Sequence, residues 1–215
     1  MIINILAGGP ESLLPDLSSY ASVESVWLGV DKGVFTLLES GIAPDYAFGD
    51  FDSVTEKEWE VIEQRVRNLK KFSPEKDETD MELAINWALE QSPKQINLFG
   101  ATGGRLDHMF GNVQLLLKPA LANLPSEIQM IDKQNHVFAK APGTYSLNEL
   151  AGKKYISFVP VTPSVKGLTL EGFKYPLINC DLPIGSTLCI SNELLNDYGT
   201  FSFSEGILLV VRSGD

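Results

Sequence analysis

Tyr46-Ala47-Phe48-Gly49-Asp50-Phe51-Asp52-Ser53 is where this chain declares its architecture. A short apolar segment stops at a glycine, and two aspartates follow, two positions apart. The next segment, Lys57–Val66, is charged and amphipathic and reads as a helix. A strand that ends in a glycine and hands over to a helix is one unit of an alternating α/β fold, which puts Gly49 to Ser53 at the strand's carboxyl end. In open α/β sheets that edge is where ligands bind.

The same grammar extends in both directions. Upstream, Ile2–Leu6 is a continuous apolar run closed by Ala7-Gly8-Gly9-Pro10, and Ser25–Val30 is a second strand ending at Asp31. Val34–Glu39 reads as a helix closed by Gly41. Downstream, Asn68–Phe72 reads as a strand, and Asp80–Glu90 as a helix with Met81, Ala84, Ile85 and Ala88 at helical spacing. Gln95–Phe99 is a strand running into Gly100, and Asp107–Leu117 a helix before Pro119. Together these predict a mostly parallel, Rossmann-like sheet covered on both faces.

After about residue 122 the pattern changes. Ile128–Asp132, Asn135–Ala139, Gly143–Leu147, Tyr155–Pro160, Val165–Glu171, Phe173–Leu177, Thr187–Ser191, Gly199–Ser204 and Gly206–Arg212 are short, partly alternating segments punctuated by Gly and Pro. This predicts an all-β sandwich domain over 123–215, following an α/β domain over 1–122.

Composition narrows the function. Seventeen Lys and Arg against 28 Asp and Glu leave a formal charge of -11, which repels a polyphosphate backbone and argues against nucleic acid as a partner. A small phosphate ligand stays compatible, because a bound metal reverses the local field. No stretch approaches the roughly 20 apolar residues of a membrane span, and Met1–Gly9 lacks the features of a signal peptide, so a cytoplasmic protein is expected. Cys180 and Cys189 read as free thiols in strands, although their spacing also permits a disulfide.

Three clusters carry the candidate chemistry. In the first, Asp50 and Asp52 either converge on one Mg²⁺ in a turn or form an Asx-turn, with Ser53 capping the next helix. In the second, Asp77-Glu78-Thr79-Asp80-Met81-Glu82 after Lys76, a capping box accounts for Thr79 and Glu82 but leaves Asp77 and Asp80 over. Four acids brought together without a cation would repel and raise each other's pKa values, so convergence implies a metal. The third is Gly100-Ala101-Thr102-Gly103-Gly104-Arg105-Leu106-Asp107-His108, a glycine-rich strand-to-helix turn whose N–H groups suit an anion. Arg105 can clamp a phosphate; Asp107 orients it, binds metal through water, or caps the helix. Neither a GxGxxG nor a GxxxxGK[ST] motif is present.

In this order the clusters resemble the thiamine pyrophosphokinase family, and the resemblance runs along essentially the whole chain. It is carried by Ala7-Gly8-Gly9, Asp31, Gly41-Ile42-Ala43-Pro44-Asp45, Gly49 to Ser53, Asp77 to Asp80, and Thr102 to His108. Gly167 to Gly172, Lys174-Tyr175-Pro176-Leu177 and Ser191-Asn192-Glu193 continue it in the second half. The resemblance implies a homodimer that transfers pyrophosphate from ATP to thiamine with Mg²⁺. It places Asp50, Asp52, Asp77 and Asp80 around the metal as metal-binding and catalytic residues. Asp31, Thr102, Gly103, Gly104, Arg105 and Asp107 fall beside the nucleotide, and Ser191 and Asn192 near the thiamine pyrimidine, in active sites shared between subunits. Lys32 departs from the Gly or Arg that the family often carries there. A pyrophosphokinase acting on a pterin alcohol and a non-catalytic nucleotide sensor are the competing readings.

Overall fold

A computed structural model describes residues 1–52, 54–71 and 77–215. Ser53, Lys76 and the end of the strand expected at Phe72 lie outside the described residues. The chain forms two compact units: 1–116 with 125–133, and 117–124 with 134–215. Near residue 122, where the pattern of the sequence changes, the chain therefore crosses between units more than once.

The first unit alternates strand and helix: β1 (Ile2–Leu6), β2 (Ser25–Val30), α1 (Lys32–Glu39), β3 (Tyr46–Gly49), α2 (Glu56–Arg65), β4 (Asn68–Lys71), α3 (Asp80–Glu90), β5 (Gln95–Phe99), α4 (Leu106–Leu115) and, after α5 (Lys118–Leu121) of the other unit, β6 (Glu127–Ile131). Pairing is parallel throughout, in the order β4-β3-β2-β1-β5-β6. In the central strands β1, β2, β3 and β5 the period-2 alternation separates two buried faces. On one face Val34 of α1 and Ile62 of α2 pack with Ala47. On the other, Trp87 of α3 meets Tyr46 and Phe48 at 4.4 and 5.5 Å between ring centroids. Ile2–Leu6 is interrupted by Asn4, which is fully buried. It is satisfied by donating to the Tyr20 carbonyl at 3.1 Å and accepting from Asn97 at 2.8 Å.

Helix starts obey local chemistry. Thr55 caps α2 in a complete capping box with Glu58, and the Thr79 hydroxyl accepts the Glu82 N–H at the start of α3. The turns Glu11–Leu13 and Leu17–Tyr20 are 3₁₀-helical, which no periodicity announces in segments so short.

The second unit holds β7 (Asn135–Lys140), β8 (Gly143–Asn148), β9 (Tyr155–Pro160), β10 (Ser164–Glu171), β11 (Leu177–Pro183), β12 (Asn192–Glu193), β13 (Tyr198–Phe203) and β14 (Leu208–Ser213). All their pairings are antiparallel, in the orders β7-β14-β9-β12 and β8-β13-β10-β11. Phe138, Phe158 and Val210 from the first set share one core cluster with Leu168, Phe201 and Phe203 from the second. Two expected strands fall elsewhere. Phe173 makes an isolated antiparallel bridge to Leu194 and residues 174–176 bend before β11, where Pro176 removes a donor from the ladder, and 187–191 form a turn that buries Cys189. Both cysteines are free thiols, Cys180 half-buried on β11. No helix of the described residues is long and apolar enough to cross a membrane.

Candidate active site

Strand order places the site. From β1 the sheet extends through β2, β3 and β4 on one side and through β5 and β6 on the other. A reversal of this kind opens a crevice at the strands' carboxyl ends. Two glycine-rich loops border it, Ala7-Gly8-Gly9 after β1 and Gly100 to Arg105 after β5. Ala7 N–H donates to the Phe99 carbonyl and Gly9 N–H to the Gly100 carbonyl, both at 2.9 Å. Gly100 has φ +61°, and a Cβ there would collide with the Ala7 carbonyl oxygen, so only glycine lets the two loops close on each other.

Beside this reversal stand Asp31, just after β2, Asp50, just after β3, and Asp80, the first residue of α3. Each offers a carboxylate oxygen within 4.8 Å of the others, and all three are half-buried. Asp31 adopts the left-handed φ of +50° with its N–H on the Phe48 carbonyl at 2.9 Å, and its Oδ1 accepts the Phe51 N–H at 3.4 Å. Phe51, also at positive φ (+61°), drives its ring into the core against Trp59 at 5.0 Å, and this anchors the aspartate turn. Burial, then the charge of Asp80, pushes the Asp31 carboxyl up to about 6; Asp50 and Asp52 add to it and the Phe51 N–H opposes it. Crowded, partly desolvated carboxylates of this kind suit a hard divalent cation with oxygen ligands.

The expected set of Asp50, Asp52, Asp77 and Asp80 thus divides. Asp50 and Asp80 converge, and their third member is Asp31, which the sequence assigned to the nucleotide. Asp52 and Asp77 are exposed and outside the group. The Asp52 N–H donates to Asp50 Oδ1 at 3.0 Å, so the Asx-turn and the carboxylate group coexist in one residue. The missed signal was positional: an aspartate directly after a parallel strand, adjacent in the sheet to the strand that carries Asp50.

In the loop after β5, Gly103 and Gly104 have φ of +76° and +65°, and Asn112 of α4 fixes the loop by donating to the Ala101 carbonyl at 3.0 Å. Thr102 Oγ1 is sealed from solvent with no hydrogen-bond partner among the described residues. The Arg105 guanidinium grips Asp107 through two parallel bonds, Nε–Oδ1 at 3.1 Å and a second N–H to Oδ2 at 2.6 Å. That grip, with the His108 N–H at 2.9 Å, holds the Asp107 carboxyl down at about 2. Both side chains are exposed, so Asp107 orients an arginine that points into solvent and at the same time accepts a first-turn N–H of α4. His108 is exposed as well.

In the second unit, Ser191 is exposed at φ +57°, with its N–H on Ser157 Oγ at 2.9 Å. Asn192 is 2% exposed. Its amide is occupied by the backbone of Tyr175, accepting from N–H at 3.0 Å and donating to the carbonyl at 2.8 Å. Asn192 therefore holds the 174–176 turn, and Tyr175, more than half exposed, is the side chain that the turn presents.

Residues 17–128 match the family described as thiamin pyrophosphokinase, catalytic domain, and residues 144–208 match the thiamin pyrophosphokinase vitamin B1 binding domain. The chain is 53% identical over 213 residues to thiamine pyrophosphokinase of Bacillus subtilis (strain 168), covering 99% of both. The crystal structure of the Bacillus subtilis enzyme superposes with a TM-score of 0.93 at 51% identity, over 100% of each chain. That of thiamin pyrophosphokinase from Geobacillus thermodenitrificans gives 0.92 at 51%, over 100% of this chain and 98% of that one.

Proposed function

Because this chain belongs to the thiamin pyrophosphokinase family, we propose that it transfers the terminal pyrophosphoryl group of ATP to the hydroxyl of thiamine, releasing AMP. The observation that carries this reading is the convergence of Asp31, Asp50 and Asp80 at the strand-order reversal, next to a glycine-rich loop that ends in Arg105. On this reading, the first unit, which takes in 125–133 as well as 1–116, performs the phosphate chemistry, and the second unit, folded as a β-sandwich, holds the acceptor.

Asp31, Asp50 and Asp80 would hold Mg²⁺, with Asp52 and Asp77 at the exposed rim. The ion supplies charge neutralisation for the triphosphate. The backbone N–H groups of 102–104 and the start of α4 receive phosphate oxygens. Arg105, already oriented by Asp107, lays its planar fork against the charge that builds up around the reacting phosphorus. In the reaction the thiamine hydroxyl oxygen bonds to the β-phosphorus while the bond from that phosphorus to the α,β-bridging oxygen breaks. The electron pair leaves with AMP, and the hydroxyl proton passes to an aspartate carboxylate. Phosphoryl-type transfer depends mainly on such positioning and electrostatics.

Ser191 and the Tyr175 turn held by Asn192 would receive the thiamine pyrimidine. Tyr175, Ile178, Ile184 and Leu188 are large apolar side chains left exposed in the second unit, which supports a homodimer that covers them. We assign the active sites to be shared between its subunits, and the enzyme to the cytoplasm, in keeping with its free thiols.

The test is product analysis after incubation with ATP, Mg²⁺ and thiamine. Equal amounts of AMP and thiamine pyrophosphate are expected. ADP with thiamine monophosphate, or no transfer to thiamine, would overturn the reading.

A further inference from the structure

The second unit carries an open cavity of about 560 Å³ whose wall is drawn entirely from residues 149–215. Arg212, near the end of β14, is part of that wall. The alternation of the strand points it to the same face as Leu208 and Val210, both fully buried, and across the ladder it stands opposite Ile156, which is 1% exposed. Arg212 itself is 7% exposed. Its Nε is sealed from solvent without a hydrogen-bond partner, and among the described residues it forms no ion pair.

A guanidinium stays protonated in proteins, so its burial is not relieved by losing the charge. Buried charges are ordinarily paired. The carboxylates around this cavity do not do so. Glu193 is bridged on one oxygen to Lys174 at 3.0 Å and on the other to Lys154 at 3.1 Å. Asp215 Oδ2 accepts the Tyr155 hydroxyl at 3.3 Å, and Glu149 and Asp197 are exposed. Burial alone pulls the Arg212 pKa below its ordinary value, with no neighbouring acid to offset it.

We propose that this cavity binds a small organic oxyanion, a carboxylate or a phosphate monoester, whose charged group pairs with Arg212. The planar guanidinium offers such a group two parallel hydrogen bonds. The volume exceeds that of a bare ion and falls in the range of small-molecule sites, and Leu150, Leu194 and Leu195 give the wall apolar surface for an organic body. None of the wall residues belongs to the carboxylate group or to the glycine-rich loops, so the proposal does not rest on the transfer reaction.

The test uses the full chain in buffer free of phosphate and carboxylate, with acetate and methyl phosphate as separate probes. The Arg212 Nε–H resonance, identified by its absence in Arg212→Lys, is followed through each titration. A saturable shift with at least one probe is expected, together with a rise in melting temperature of roughly 2–4 °C, the scale set by one kcal/mol of linked stabilisation. Which probe acts tells carboxylate from phosphate. The rise should persist in Asp80→Asn, whose change lies among the aspartates of the first unit, and disappear in Arg212→Met. An Arg212 resonance unmoved by both probes, or a rise that survives in Arg212→Met, would overturn the proposal. Should Arg212→Met fail to fold, the resonance titration of the unaltered protein still decides.

Discussion

Any side chain at position 49 would drive its Cβ into Asp31 Oδ1: the glycine that ends β3 leaves the space that the carboxylate following β2 occupies. Gly49 also sits at φ +149°, where L side chains are strained. Gly49→Ala should therefore displace one member of the carboxylate group directly. Turnover is expected to fall by at least about tenfold, equivalent to roughly 1.4 kcal/mol, with a melting temperature lowered by a few degrees. Unchanged turnover in a folded Gly49→Ala protein would show that the Asp31 position is dispensable.

Asp31→Asn separates stability from function through pH. The Asp31 carboxyl is raised to about 6, first by burial and then by Asp80. An acid whose folded pKa lies above its unfolded value, about 3.9, favours the fold fully below that value and loses this contribution as pH rises through the folded pKa. Without metal, the unaltered protein should therefore lose stability from this group between about pH 4 and 6. Asp31→Asn should melt higher than the unaltered protein at neutral pH in chelator, and gain less from added Mg²⁺. Thermal melts across pH, with and without Mg²⁺, check both signs.

Arg105 and Asp107 are exposed, so changes there should leave the fold intact. Arg105→Lys keeps the charge but loses the two-pronged grip on Asp107 and the planar fork for phosphate. We expect kcat/KM for ATP to fall by at least about tenfold while the melting temperature stays within about 1 °C. A loss confined to stability would exclude a role for Arg105 in the transfer.

Much of the first unit could be read from residue order, because β2, β3 and β5 end on or just before a glycine or an aspartate and α3 carries Met81, Ala84, Ile85 and Ala88 at helical spacing. The grouping of Asp31 with Asp50 could not. It depends on the register that sets Val30 beside Phe48, a tertiary fact with no local signature. Asn192 shows the converse limit. As a polar residue in a polar stretch it reads as a ligand contact, yet its amide is occupied by the Tyr175 backbone. Arg212 ends an apolar strand, where nothing in the neighbouring residues signals that its guanidinium lacks a partner. The turn at 187–191 reads from its residues as a short strand; Cys189 is buried there and held by a backbone bond, its carbonyl accepting the Phe158 N–H at 3.0 Å, rather than by a ladder.

The proposal that active sites are shared between subunits makes a distinct prediction for mixtures of variants. A chain carrying Asp80→Asn is paired with one carrying Tyr175→Ala, each expected to be nearly inactive alone. A hybrid dimer then contains one intact site and should recover up to about half the activity of the unaltered dimer, as two-fold symmetry requires. No recovery, with subunit exchange demonstrated, would place each complete site within one chain.

The proposed transfer rests on Asp31, Asp50 and Asp80 acting together on one cation, and Mn²⁺ binding followed by electron paramagnetic resonance tests that most directly. Titrations would compare the unaltered protein with Asp31→Asn, Asp50→Asn, Asp80→Asn and the rim change Asp52→Asn, with and without α,β-methylene ATP, which the reaction cannot cleave. Each of the first three substitutions is predicted to weaken Mn²⁺ binding by at least about tenfold, roughly 1.4 kcal/mol, and Asp52→Asn by less. Equal Mn²⁺ affinity across all five proteins would contradict the account.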